Sequence, residues 1–190
     1  MREIILISFL GPDQPNQFTR LMQVLSAHSL QILDVGQAVI HNQLTLGIVV
    51  ASEDQTATAL AMKEILILAH DIGLTVRFKP ISATEYDQWV KEGGRTRYIV
   101  TALAPELNAS HLQAVTQIVS AQGFNIETVT RLSGRPALDG HSSGPKRACV
   151  EFGLKGQMLD AAAMRAACLR LSTELNVDVA VQEDNAYRRN

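Results

Sequence analysis

Nearly every position from Ile4 to Leu10 is apolar, and the run then meets Gly11-Pro12-Asp13-Gln14-Pro15. A strand-length run with apolar residues on both faces predicts a central strand covered on both sides. Phe18, Leu21, Met22 and Leu25 follow at the i, i+3, i+4, i+7 spacing of one buried helical face. Residues 30–41 and 43–52 read as the strands of a hairpin with Asn42 near its turn. Leu44, Leu46, Ile48 and Val50 alternate as on a half-buried strand. Residues 56–71 make a second helix with Gly73 as its C-cap, and residues 74–81 close the unit as a strand.

The same order returns from about residue 96. Residues 98–103 read as a strand, and Asn108 caps a helix with Leu112, Val115 and Val119 on its inner face. Residues 124–132 are the next strand. The stretch 134–145 carries three glycines and two prolines, as a long hairpin loop would. Between residues 147 and 154, Ala148, Val150, Phe152 and Leu154 point inward and Cys149 outward. Met164, Ala167, Cys168 and Leu171 mark the last helix, and residues 177–181 the last strand.

Two βαββαβ units of this kind predict an α+β protein with two tandem ferredoxin-like domains, each an antiparallel sheet with two helices on one face. The expected boundaries are 1–82 for the first domain, 83–95 for a solvated linker, 96–184 for the second domain and 185–190 for a polar tail. Trp89 within the linker is expected to pin it to a domain surface.

Composition narrows the function. An apolar share of 46% and a charged share of 19% suit an ordinary globular chain. A net charge of −2 with scattered basic residues supplies no field for nucleic acid. No apolar run reaches the ~20 residues of a membrane span, and the N-terminus lacks a secretion signal, so a cytoplasmic location is expected. Cys149 and Cys168 form neither a metal-ligand spacing nor a disulfide framework, and His28, His41, His70, His111 and His141 are dispersed. Asp34 and Glu127 are too isolated for an acid–base pair, and the glycines of 134–144 lack the Lys-Ser/Thr of a phosphate cradle. No catalytic constellation is present, and residues 1–190 should be inactive alone.

One local feature stands out. Gly11-Pro12-Asp13-Gln14-Pro15-Asn16 sits at a strand-to-helix junction, where unpaired N–H groups and the helix dipole favour a carboxylate. Asp13 or Asn16 could add a partner for an ammonium or hydroxyl group, which suits a zwitterionic amino acid. Alternatively, Asp13 simply caps the helix and Pro15 occupies its first turn.

These residues, with Leu30-Gln31-Ile32-Leu33-Asp34, resemble the ACT domain, whose signature is an Asp-Arg-Pro-Gly-like loop followed by Gly-x-Asn-Ile. The second copy carries the later half as Gln122-Gly123-Phe124-Asn125-Ile126. Asn16 stands where glycine is usual, Ser29 and Gln31 replace Gly and Asn, and Ala104-Pro105-Glu106-Leu107 lacks the loop signature. Each copy thus keeps one half of the motif. Residues 34–40, 43–47, 177–181 and 187–189 further resemble the N-terminal regulatory region of bacterial phosphoserine phosphatases with tandem ACT domains.

That resemblance implies an amino-acid-sensing, homodimerising region attached to a C-terminal phosphatase module, with L-serine as effector and no cofactor on these residues. The magnesium and the Asp-x-Asp-x-Thr motif of the family would lie in that further module. The implied effector-binding residues are Gly11, Asp13, Gln14, Pro15, Asn16, Asp34, Gln37 and Asn125, with Gly11, Asp13 and Asn16 facing Asn125 in one composite site. A free-standing regulator resembling the glycine-cleavage repressor is the alternative.

Overall fold

A computed structural model describes residues 2–93, 97–135 and 147–184. The chain divides into two units, residues 1–92 and 93–190. In the first, β1 (Glu3–Pro12), α1 (Gln17–Ala27), β2 (Gln31–Ile40), β3 (Gln43–Ser52), α2 (Gln55–Asp71) and β4 (Thr75–Ile81) follow in order, then α3 (Ala83–Gly93). The second contains β5 (Arg97–Ala104), α4 (Ala109–Ala121), β6 (Asn125–Arg131), β7 (Ala148–Lys155), α5 (Ala161–Leu175) and β8 (Asp178–Asp184). The sheets run β2-β3-β1-β4 and β6-β7-β5-β8, antiparallel at every pair, which is the ferredoxin-like order twice over.

Alternation explains each core. Ile5, Ile7 and Phe9 of β1 and Leu44, Leu46, Ile48 and Val50 of β3 face Leu21, Leu25, Ala61 and Ile65 of the helices. In the second unit Val100, Ala102, Val150, Phe152 and Leu154 meet Val115, Val119, Met164 and Cys168. β1 is central, as expected, but helices cover only one of its faces. On the other face Ile4 is buried, Leu6 and Ser8 are half-buried, and Leu10 is 54% exposed.

Turn chemistry is shared between the units. His41 and Asn42 both take positive φ (47° and 61°), as a two-residue type I′ hairpin requires. α2 and α4 end on left-handed glycines, Gly73 and Gly123. In each case the glycine N–H and the next N–H reach back to the last helical turn: Gly73 to His70 O and Leu74 to Ala69 O, Gly123 to Ser120 O and Phe124 to Val119 O. α1 ends the same way with Ser29 at φ 55° instead of glycine. Both edge strands β2 and β6 shift register by one extra residue, between Ile32 and Asp34 and between Ile126 and Thr128.

Three expectations need correction. The stretch 83–95 is helical over α3, begun by a capping box in which Ser82 Oγ accepts from Glu85 N–H and Glu85 Oε2 accepts from Ser82 N–H. Trp89 is 46% exposed on that helix and stacks obliquely on Tyr86, with ring centroids 5.7 Å apart. The inner face of α1 is Gln17, Leu21 and Leu25, while Phe18 is 42% exposed. The expected loop at 134–145 and the tail at 185–190 fall largely or wholly outside the described residues.

Candidate functional site

The β1–α1 loop is built by three close approaches. β1 stays paired through Gly11 and Pro12, and the Asp13 N–H then donates to Asn42 O at 2.8 Å. A Cβ at Gly11 would lie 2.7 Å from Gly73 O and 2.9 Å from Leu74 Cδ2, so only glycine lets the strand end approach the α2–β4 turn. Gln17, 3% exposed, supplies the third tie. Its Oε1 accepts from Gln14 N–H at 3.0 Å, and its Nε2 donates to Pro12 O and Ile72 O at 3.2 Å each. One buried carboxamide thus holds the loop to both the strand and the α2 terminus.

The first helical residue is Gln17, with Asn16 as N-cap in the left-handed region (φ 70°, ψ 0°) and making no side-chain cap bond. Asp13 therefore does not cap the helix, and Pro15 precedes it instead of lying in its first turn. The physical reason is that Gln17, not Asp13, satisfies the loop amide at Gln14. Asp13, Gln14, Pro15 and Asn16 are all exposed. Every other described helix starts with a side-chain cap: Asp54 for α2, Ser82 for α3, Asn108 for α4 and Asp160 for α5. The second repeat's loop is closed by its own groups, with Asn108 Oδ1 accepting from His111 N–H at 3.0 Å and His111 Nδ1 lying 3.1 Å from Glu106 O. Among the described helices only α1 presents an N-terminus without a side-chain cap, where donors and dipole point to solvent.

Within the first unit, Asp34 and Gln37 do not share one surface. Asp34 follows the register shift and pairs with Val49, whereas Gln37 pairs with Leu46. Leu46 lies in the core, so Gln37 projects from the helix-bearing face of β2 and Asp34 from the opposite one. Gln37 is level with Phe9, near the strand end that leads into the loop. Asn125 begins β6 in the second unit and pairs with Lys155.

Charged groups elsewhere have structural partners. Glu127 occupies the extra position of β6, 3.6 Å from Arg97 and 3.8 Å from Lys155. Asp178 accepts from Arg147 at 2.7 Å and Ser172 at 2.8 Å, and the Arg147 bond, then Ser172, holds its carboxyl below the usual range. Burial pushes the Cys168 thiol up, away from nucleophilic use. His28 lies 3.2 Å from Glu64 and His70 3.5 Å from Asp71. His141 lies outside the described residues. Among the described residues no three His, Cys, Asp or Glu are grouped to hold a metal ion, and no helix is long and apolar enough to cross a membrane.

Sequence reasoning missed Gln17. The signal was present as the spacing 17, 21, 25, an i, i+4, i+8 row that places a glutamine on the inner face ahead of two leucines.

Comparison with known proteins matches residues 3–79 to the ACT domain. The chain is 28% identical over 180 residues to the phosphoserine phosphatase SerB2 of Mycobacterium tuberculosis, covering 94% of this chain and 40% of that protein. A phosphoserine phosphatase of Streptomyces coelicolor is 26% identical over 191 residues, covering 97% and 41%. The chain thus spans about two fifths of the length of these relatives. Among solved structures, a Galdieria sulphuraria protein of unknown role aligns with a TM-score of 0.72 at 14% identity, covering 97% of this chain and 99% of its own. A proposed glycine cleavage system transcriptional repressor aligns with a TM-score of 0.65 at 11% identity, covering 97% and 98%. Those two likenesses concern the fold alone.

Proposed function

We propose that this chain, whose first repeat is an ACT domain and whose second repeats its fold, is the amino-acid-sensing region of a phosphoserine phosphatase, with L-serine as effector. The single observation that carries the reading is the α1 terminus, which lacks a side-chain cap and is ringed by exposed Asp13, Gln14, Pro15 and Asn16. Its N–H groups take the effector carboxylate, and Asp13 or Asn16 takes its ammonium or hydroxyl group. Gly11 keeps the loop seated, Gln37 stands on the neighbouring strand while Asp34, on its opposite face, takes no part, and Asn125 supplies the half of the family motif that the first repeat lacks. The reaction of the whole protein, hydrolysis of O-phosphoserine with magnesium, belongs to a C-terminal module that this region regulates. The assembly is a cytoplasmic homodimer.

Calorimetric titration of L-serine into the chain tests this directly. Binding is expected, weakened by Asp13→Ala and by Asn125→Ala. Serine at one hundred times its dissociation constant should stabilise the fold by about 2.7 kcal/mol. Unaltered affinity in both variants would remove the assignment of the site. A coding frame without Asp-x-Asp-x-Thr downstream would instead favour a free-standing regulator.

A further inference from the structure

On the face of the first sheet that no helix covers, the strand pairing lines up opposite charges. Leu6 pairs with both Val49 and Lys79, and Val49 pairs with Asp34, so Asp34, Val49, Leu6 and Lys79 form one row across β2, β3, β1 and β4. Paired residues share a face, and this face lies opposite the helices because Ile5, Ile7, Ile48 and Val50 belong to the core. The row has two apolar groups at its centre, both only half-buried, with an anion at one edge and a cation at the other. The next row toward the loop is Gly36, Gly47, Ser8 and Arg77, three small residues and again a cation on β4.

This arrangement is complementary to itself. A two-fold axis parallel to the strands lays β4 of one copy over β2 of another, and β1 over β3, with each row above its own counterpart. Lys79 then faces the second copy's Asp34, and Leu6 faces its Val49. Arg77 passes over Gly36, where a Cβ would meet nothing within 4 Å. Stacked sheets stand about 10 Å apart, a gap that a lysine stem and a carboxylate close together. A two-fold across the strands would instead set cation on cation. Asp34 and Lys79 are both exposed. Among the described residues Asp34 makes no hydrogen bond or ion pair, and Lys79 forms no ion pair, although its charge reaches Glu85.

The second unit does not offer the same match. Asp34 and Thr128 each follow the register shift of their edge strand, so the equivalent row there is Thr128, Gly153, Ile99 and Gln182. It carries no charge at either end, and the charged row of the first unit finds its complement in another first unit. We propose that the chain forms an isologous dimer in which the uncovered sheet faces of two first units stack, closed at both edges by Asp34 and Lys79. This rests on the homodimer reading above and names its interface.

Sedimentation equilibrium of the full chain, with Val49 methyl resonances followed on dilution, tests the interface. A reversible dimer is expected, and the methyls should shift as it dissociates. Asp34→Lys and Lys79→Glu each place like charges together at both edges and should weaken the dimer about tenfold or more. Combined, the two changes restore opposite charges and should bring the affinity back to within about threefold of the original. Both side chains are exposed, so the fold is expected to survive in every variant. A dimer indifferent to both single changes, or one that the combination fails to restore, overturns this interface and leaves the homodimer itself standing. A chain that stays monomeric, with Val49 methyls unmoved by dilution, overturns both, while serine binding is read independently by calorimetry.

Discussion

Truncating Gln17 to alanine should cost the first repeat about 3–5 kcal/mol. The side chain is 3% exposed and makes three contacts, of which the one to Ile72 O is buried and those to Pro12 O and Gln14 N–H are partly so. Leaving the Ile72 carbonyl without a partner costs about 1–2 kcal/mol, and the two contacts that water can reach add about 0.5–1 each. The vacated volume adds about 1 kcal/mol more. Urea unfolding of the full chain should read this loss as a lower midpoint at unchanged slope. Hydrogen exchange should place it, through faster exchange of the Gln14 amide. Glutamate at 17 sharpens the argument, because it keeps the acceptor for Gln14 but turns a carboxylate toward two carbonyls. Its folded-state pKa then stands above the ~4.3 of an unfolded chain. The folded state therefore binds more protons than the unfolded one, and the Gln17→Glu protein loses stability as pH rises above about 4. A loss under 1 kcal/mol for Gln17→Ala, with Gln14 exchange unchanged, would refute the view that this carboxamide organises the loop.

Ser29→Gly should stabilise the chain by about 1 kcal/mol in thermal or urea unfolding, because Ser29 holds a left-handed φ of 55° where the second repeat uses Gly123. Asp178 is held ionised by Arg147 and Ser172, so its folded pKa is depressed. The stability this contributes is present above the unfolded pKa of about 3.9 and is lost as pH falls through the lower folded value. An NMR titration of the Asp178 carboxyl should show the depressed midpoint, and Arg147→Ala should return it toward the ordinary value.

Most of the fold could be read from period alone. The alternation of 44, 46, 48 and 50 and of 148, 150, 152 and 154 located both inner strands, because a two-residue repeat survives wherever one face is covered. Gly73 and Asn108 were legible as helix ends for the same local reason. α3 was not, although Ser82-Ala83-Thr84-Glu85 spells a capping box: the charges after it suggested solvent, and a solvated helix has little apolar period to show. The loop was the hardest part. Its order depends on Gln17 reaching Ile72, a contact 55 residues away in sequence. Whether Asn16 or Asp13 caps α1 depends on that long-range tie, so local preference named the wrong residue.

The extra residue in β2 and in β6 has a consequence for solubility. Among the described strands both lie at a sheet edge, and β2 also exposes Val35, Val39 and Ile40. An even ladder there would offer a template to any stray strand, and the inserted Leu33 or Glu127 spoils it by adding local twist. Deleting Leu33 would leave Asp34, Gly36 and Ala38 on their faces, because Ile32 and Asp34 already pair with the adjacent Val50 and Val49, yet it would straighten a sticky border, and the molecule would be lost to precipitation before it was lost to unfolding.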